Sequence, residues 1–240
     1  MKKIILIIFC IFFLFTFGAL FGNTSITGSY GYFTMPITST PSRGTIHINS
    51  GYIFDPGNLY ISLNTSILKN WELSAGKEIL TGEGGEIDAT PFIFGTKYLF
   101  YQKGDFRAAA GLQAELLLDQ QIVDGTPVSL YGVISESAGK IGYVNIGLGY
   151  TLGIDAGYAI NFFVGLRKAV IGDKLFIIGE FTNYSIRQGL DLPWSEGRGI
   201  FNGGAVLELT DFLKFKLTAY DLLDHFLTVG LGAELRLKAF

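Results

Sequence analysis

The sequence predicts an all-β protein: a single antiparallel transmembrane β-barrel of about twelve strands (10–14), placed after an N-terminal signal peptide. Three observations carry this. The first is the run from Asp105 to Asp119, in which Phe106, Ala108, Ala110, Leu112, Ala114, Leu116 and Leu118 occupy every even position. Arg107, Gln113 and Glu115 fall on the odd ones. Strand side chains alternate faces, so this is one long two-faced strand. It outruns the ~5–6 residues of a typical globular strand and suits a tilted bilayer crossing, which takes ~9–11. The second is composition. Charged residues make up 16% of the 240 positions, below the ~25% of soluble domains, and Gly 32, Phe 21 and Tyr 12 are a β-protein's profile. The third is punctuation, in which tight turns alternate with generally longer loops along the chain. That is the habit of outer-membrane barrels, short on the periplasmic side and longer outside.

Taken in order, Met1-Lys2-Lys3 and the apolar run from Ile4 to about Phe21 read as a signal peptide over 1–22, with cleavage near Gly18 to Gly22. An uncleaved helical anchor is the alternative. Cys10 lies inside this run without a small residue before it, so it is not read as a lipid-attachment site. Removing the leader leaves no cysteine, hence no disulfide, thiol nucleophile or cysteine metal site. Beyond residue 22 no apolar run is long enough for a spanning helix. A formal charge of −3 offers nothing to nucleic acid.

Residues 23–43 form a Gly/Ser/Thr/Pro-rich lead-in, and Pro36 and Pro41 make it a poor central strand. Three placements are open to it: across or plugging the periplasmic mouth, or outside the barrel. The barrel itself occupies 44–240, with strands expected near 44–54, 58–68, 71–80, 91–102, 105–118, 127–138, 142–152, 158–170, 174–185, 198–209, 212–222 and 226–238. Lys69-Asn70, Lys103-Gly104, Gly139–Ile141, Gly172-Asp173 and Thr210-Asp211 are the tight turns. An even strand count returns both ends of the barrel to one side.

The apolar face is assigned to lipid, because twelve strands enclose a lumen too wide to fill with side chains. A soluble lipid-binding barrel would turn it inward. Tyr52, Phe54, Trp71, Phe92, Phe100, Tyr158 and Phe212 lie near strand ends, where membrane barrels carry aromatic girdles. The polar face then lines the lumen with Glu72, Glu78, Glu115, Glu180, Glu208 and Glu234, and with Lys97, Arg107, Arg167, Lys214, Lys216 and Arg236. Acids and bases balance, which predicts ion-pair networks bracing a narrow or closed interior rather than a pore selective for one sign. Glu208 and Lys214 are expected to pair across the Thr210-Asp211 turn.

No motif carries a chemistry. His47 shares the first strand's polar face with Asn49, a structural position. His225 follows Asp221 and Asp224, an Asp–His arrangement that would activate water in an outer-membrane hydrolase working at the rim. The His-x-Ser motif of outer-membrane phospholipases is absent, since Ile48 and Asn49 follow one histidine, Phe226 and Leu227 the other. Gly147, Gly149, Gly230 and Gly232 sit within strands, relieving crowding on the lumen face. No cofactor or metal is expected. The loop bearing Asp191, Trp194 and Glu196 is the most distinctive surface, a candidate for gripping a partner or glycan. Phe240 ends the chain with the aromatic residue that barrel assembly machinery reads on a last strand, although it falls out of phase with the apolar frame. Outer-membrane lipid is the other expected partner, and the sequence sets no oligomeric state.

The segment from Gly31 to Gly44, with Met35-Pro36 at its centre and Thr45–Gly51 after it, resembles the opening of YjbH-like outer-membrane proteins. Gly179–Gly189 and the Gly203-Gly204 strand resemble the repeated strand pattern of that family. The resemblance implies an outer-membrane barrel connected with exopolysaccharide or envelope traits and supplies no catalytic residue. The expectation is a non-enzymatic outer-membrane protein, either a narrow channel or a structural, surface-exposed barrel.

Overall fold

The computed structural model describes residues 24–54, 57–81, 87–117, 127–153, 160–183, 199–223 and 228–239. Residues 1–23, over which the signal peptide is expected, lie outside them, as do Leu118, Tyr158, Asp191, Trp194, Glu196, Asp224, His225 and Phe240. The described strands are β1 (Thr45–Ile53), β2 (Asn58–Leu68), β3 (Trp71–Thr81), β4 (Ile87–Ala89), β5 (Pro91–Lys103), β6 (Phe106–Leu117), β7 (Val128–Ser137), β8 (Tyr143–Leu152), β9 (Ile160–Ile171), β10 (Leu175–Thr182), β11 (Ile200–Thr210), β12 (Leu213–Tyr220) and β13 (Thr228–Lys238). Each of the long strands pairs antiparallel with its sequence neighbours, and β1 pairs with both β2 and β13. Twelve of them therefore close into a ring with no free edge, the one arrangement of strands that satisfies every main-chain group inside a bilayer.

The boundaries match the expected strands within a few residues, with two differences. Between the strands expected near 71–80 and 91–102 lies a further short strand, β4, which pairs with the end of β3. Strand β12 stops at Tyr220 because Asp221 takes a left-handed conformation (φ 53). The tight turns all gather at one end with the start of β1 and the end of β13. Asn70 supplies the left-handed residue (φ 65) that lets β2 and β3 reverse in two residues.

Strand parity sorts the surface. On β2, Leu59, Ile61 and Leu63 are exposed while Tyr60, Ser62 and Asn64 are buried. On β8 and β9, Leu148 and Ile160 reach 65% and 66% exposure. An apolar surface circling the whole molecule is far beyond the few hundred Å² a soluble monomer shows, and it suits lipid. The apolar-in arrangement of a soluble lipid carrier is therefore wrong for this chain. Tyr52, Phe54, Trp71 and Phe100 are exposed near strand ends; Phe92 and Phe212 are half-buried. Ala108 lies on the outward-facing register of β6 yet is buried, a small methyl placed opposite Tyr101 where a bulge shifts the β5–β6 pairing.

Closure without an edge makes unfolding an all-or-none loss of ladder bonds. The chain lacking 1–22, refolded in detergent, should run faster unheated than boiled on a denaturing gel and should need detergent to leave the membrane fraction. Identical migration in both lanes would contradict a closed barrel.

Candidate functional site: the occupied lumen

The lead-in goes inside the barrel. Of its three open placements, the structure selects a fuller version of the plug: residues 24–38 are buried against the walls, apart from half-buried Tyr30 and Thr34. Pro36 and the glycines deny it a regular strand, so it folds on itself. Ser25 N–H donates to the Ser29 carbonyl at 2.8 Å, Ile26 N–H to Phe33 at 2.9 Å and Tyr32 N–H to Met35 at 3.0 Å. Gly28 turns with φ +90 where a Cβ would lie 2.9 Å from the Ala75 carbonyl of β3, so only glycine fits both constraints.

The predicted lumen charges hold this segment. Glu234 on β13 accepts Thr24 N–H at 2.7 Å and pairs with Lys216 on β12 at 2.6 Å; Lys216 donates to the Thr24 carbonyl at 2.6 Å. Glu72 on β3 accepts Tyr30 N–H at 2.8 Å and pairs with Lys97 on β5 at 2.7 Å; Lys97 donates to the Tyr30 carbonyl at 2.8 Å. Each ion pair thus grips both polar groups of one residue. Glu180 on β10 forms a third seat, accepting Thr34 N–H at 3.0 Å, Thr34 O–H at 2.6 Å and Phe33 N–H at 3.2 Å, with Asn202 donating at 2.8 Å. Asn49, Ser62 and Asn64 donate to the carbonyls of Thr24, Ser25 and Gly28. Gln113 donates to Thr27, and Thr38 to Ser135.

Charges this deep are costly unless paired, and removing one partner of a buried pair costs about 3–5 kcal/mol. Lys97→Met should therefore lower unfolding stability by that order, read as a fall in the denaturant midpoint of the refolded barrel. Adding Glu72→Leu should restore much of it; no recovery in the double variant would contradict the pairing.

Other charges brace the wall. Glu208 and Lys214 are register partners on β11 and β12 and pair at 2.5 Å, with Arg167 of β9 joining at 3.2 Å. Arg167 also lies over the Phe176 ring at 3.7 Å. Arg107 donates to Ser39 at the exit of the lead-in, and Glu78 accepts from Asn58 at 2.6 Å. Glu115 is buried on β6, and Arg236 faces inward opposite His47. Acids and bases balance in number but not in position. Among the described residues, the inward bases Lys97, Arg107, Arg167, Lys214, Lys216 and Arg236 lie at mid-strand or toward the turn end. Glu78, Glu115, Glu180 and Asp221 lie toward the loop end, while Glu72, Glu208 and Glu234 share the level of the bases.

Side-chain pockets complete the fit, and here the sequence was silent. A Cβ on Gly165 of β9 would meet Tyr32 Cε2 at 2.6 Å and Met35 Sδ at 2.8 Å; a Cβ on Gly204 of β11 would meet Phe33 Cζ at 2.8 Å. The glycines are the floors of aromatic seats. Asn145 donates to the Tyr32 hydroxyl at 2.6 Å. Burial pushes the Tyr32 phenol well above its ordinary range, so it stays a neutral hydrogen-bonding group. The detectable signal was inward parity: Gly165 and Gly204 occupy lumen-facing positions where Arg167 and Val206 follow two residues later.

No hydrolytic arrangement assembles around His47, which is buried against Glu234 at 3.4 Å, Thr45 at 3.4 Å and the edge of Tyr30. The other half of the hydrolase reading, His225 with Asp224, lies outside the described residues. No group of metal-ligating side chains occurs among the described residues.

A closed twelve-stranded antiparallel ring, polar inside and apolar outside, defines the chain as an outer-membrane-type β-barrel. Among solved structures, its fold matches the KdgM porin with a TM-score of 0.59 at 8% identity, covering 80% of this chain and 98% of that one. It matches the NanC porin with a TM-score of 0.54 at 9% identity, covering 79% and 97%. The Acinetobacter baumannii outer membrane protein Omp33 follows at 0.50 and 10% identity, covering 80% and 97%. Identities this low establish a common fold. No protein-family model and no curated protein matches the chain.

Proposed function

We propose that this chain is a non-enzymatic outer-membrane channel held closed by its own residues 24–39. The observation that carries the reading is the lead-in seated on three buried carboxylates across a ring of twelve strands. A ring this size has more interior than wall side chains fill, so an occupant decides whether water crosses. The porin fold of its structural neighbours and the lipid-facing apolar belt support an outer-membrane location. Planar-bilayer recordings test it: intact protein should be silent, and protein lacking 24–39 should conduct. The segment with Asp191, Trp194 and Glu196 joins β10 to β11 at the loop end and is the surface offered to an external partner or glycan. Phe240, beyond β13, is the mark for the assembly machinery. A connection with exopolysaccharide or envelope traits rests on the resemblance of Gly31–Gly51 to YjbH-like proteins.

A further inference from the structure

The geometry points to a second property of the lumen: it is a receptor site for a polypeptide, read through its main chain, and the lead-in is its resident and exchangeable ligand. Two clamps show the recognition. The Glu234–Lys216 pair takes the N–H and the carbonyl of Thr24, and the Glu72–Lys97 pair takes the N–H and the carbonyl of Tyr30. A carboxylate beside an ammonium is complementary to the two poles of a single residue, whatever its side chain. The Glu180 seat repeats the carboxylate half of this logic, with two main-chain N–H groups at Phe33 and Thr34. Asn49, Ser62 and Asn64 add donors for carbonyls. An ion pair meant only to brace a wall would be satisfied by wall groups, as Glu208 and Lys214 are.

Specificity comes from shape. The site demands glycine at the position of Gly28, because of φ +90 and the close Ala75 carbonyl, and it offers glycine-floored seats for two adjacent aromatics at Tyr32 and Phe33. The ligand class is therefore a Gly/Ser/Thr-rich peptide with a Gly-x₃-aromatic-aromatic core, supplied in cis by the lead-in and in trans by any exported chain that carries the pattern. The lead-in leaves the lumen through exposed Ser42 and Arg43, so its tether is accessible while its core is held.

This deepens the closed-channel reading and is tested without current. A specific protease site replaces Ser42-Arg43 in the chain lacking only the leader, and the folded protein is cleaved in detergent. The released segment should stay bound through gel filtration and then exchange with an added fluorescent peptide of residues 24–39. A peptide N-methylated at Tyr30, which cannot donate to Glu72, should compete at least about tenfold less well. N-methylation at half-buried Ser39, beyond the clamps, should compete like the parent peptide. Loss of the cleaved segment without rebinding would overturn the proposal, as would equal competition by the Tyr30-methylated peptide. A barrel that exchanges peptide yet never conducts would refute the channel reading and leave the receptor site standing.

Discussion

Deleting residues 24–39 should turn a silent barrel into one that passes discrete channel currents. The segment sits among Glu72, Glu180 and Glu234 and hydrogen-bonds to residues of ten of the twelve ring strands. Its removal leaves polar wall groups that water can solvate, because the emptied lumen of a twelve-stranded ring exceeds what wall side chains occupy. The wall keeps its ladder, so the deleted protein should still show faster unheated migration on a gel. That control separates an opened barrel from an unfolded one. The current should discriminate weakly between cations and anions, since inward acids and bases are similar in number. A folded deletion variant as silent as the intact protein would end the closed-channel reading.

The second large effect is expected from one glycine. Gly165→Val places a branched side chain where the three nearest atoms are the Tyr32 ring carbons and Met35 Sδ, all on the lead-in and none on the wall. Overpacking of this kind costs about 1–3 kcal/mol. Because the wall has no reason to move, the cost falls on the seated state of the lead-in and shifts its seated-to-released ratio by roughly 5- to 150-fold. A cysteine at Met35, a fully buried position, placed in a chain lacking residues 1–22 and so without Cys10, reports this directly. Its labelling by a small thiol reagent should be slow in the parent barrel and faster by that factor with Gly165→Val. Gly132→Val is the control, since nothing lies within 4 Å of its Cβ position and it faces outward. Equal labelling rates in all three backgrounds would remove Gly165 from the account.

Much of the barrel was legible in the residues themselves. Leu59, Ile61 and Leu63 against Tyr60, Ser62 and Asn64 declare which face each takes, because a strand has only two faces and one must meet lipid. Asn70 and Gly172 mark reversals because few residues tolerate their backbone. The Glu208–Lys214 pair followed from counting outward from a two-residue turn, a purely local operation. The lead-in was legible only as something that was not a strand. Nothing in Thr24–Ser39 names its partners, since many of those hydrogen bonds are to main chain and they come from residues between 24 and 210 positions away.

The receptor seats divide along the same line. Period, parity and turn chemistry are short-range and repeat many times, so one chain read alone determines a closed ring, its lipid face and its inward charges. Which charge meets which group depends on strand register around the ring. Register brings Glu72 to Lys97 and Glu234 to Lys216, and the same closure brings Gly165 beneath Tyr32. Only the folded barrel decides that its interior is occupied, because occupancy is set by complementarity between a wall and a segment that share no sequence pattern.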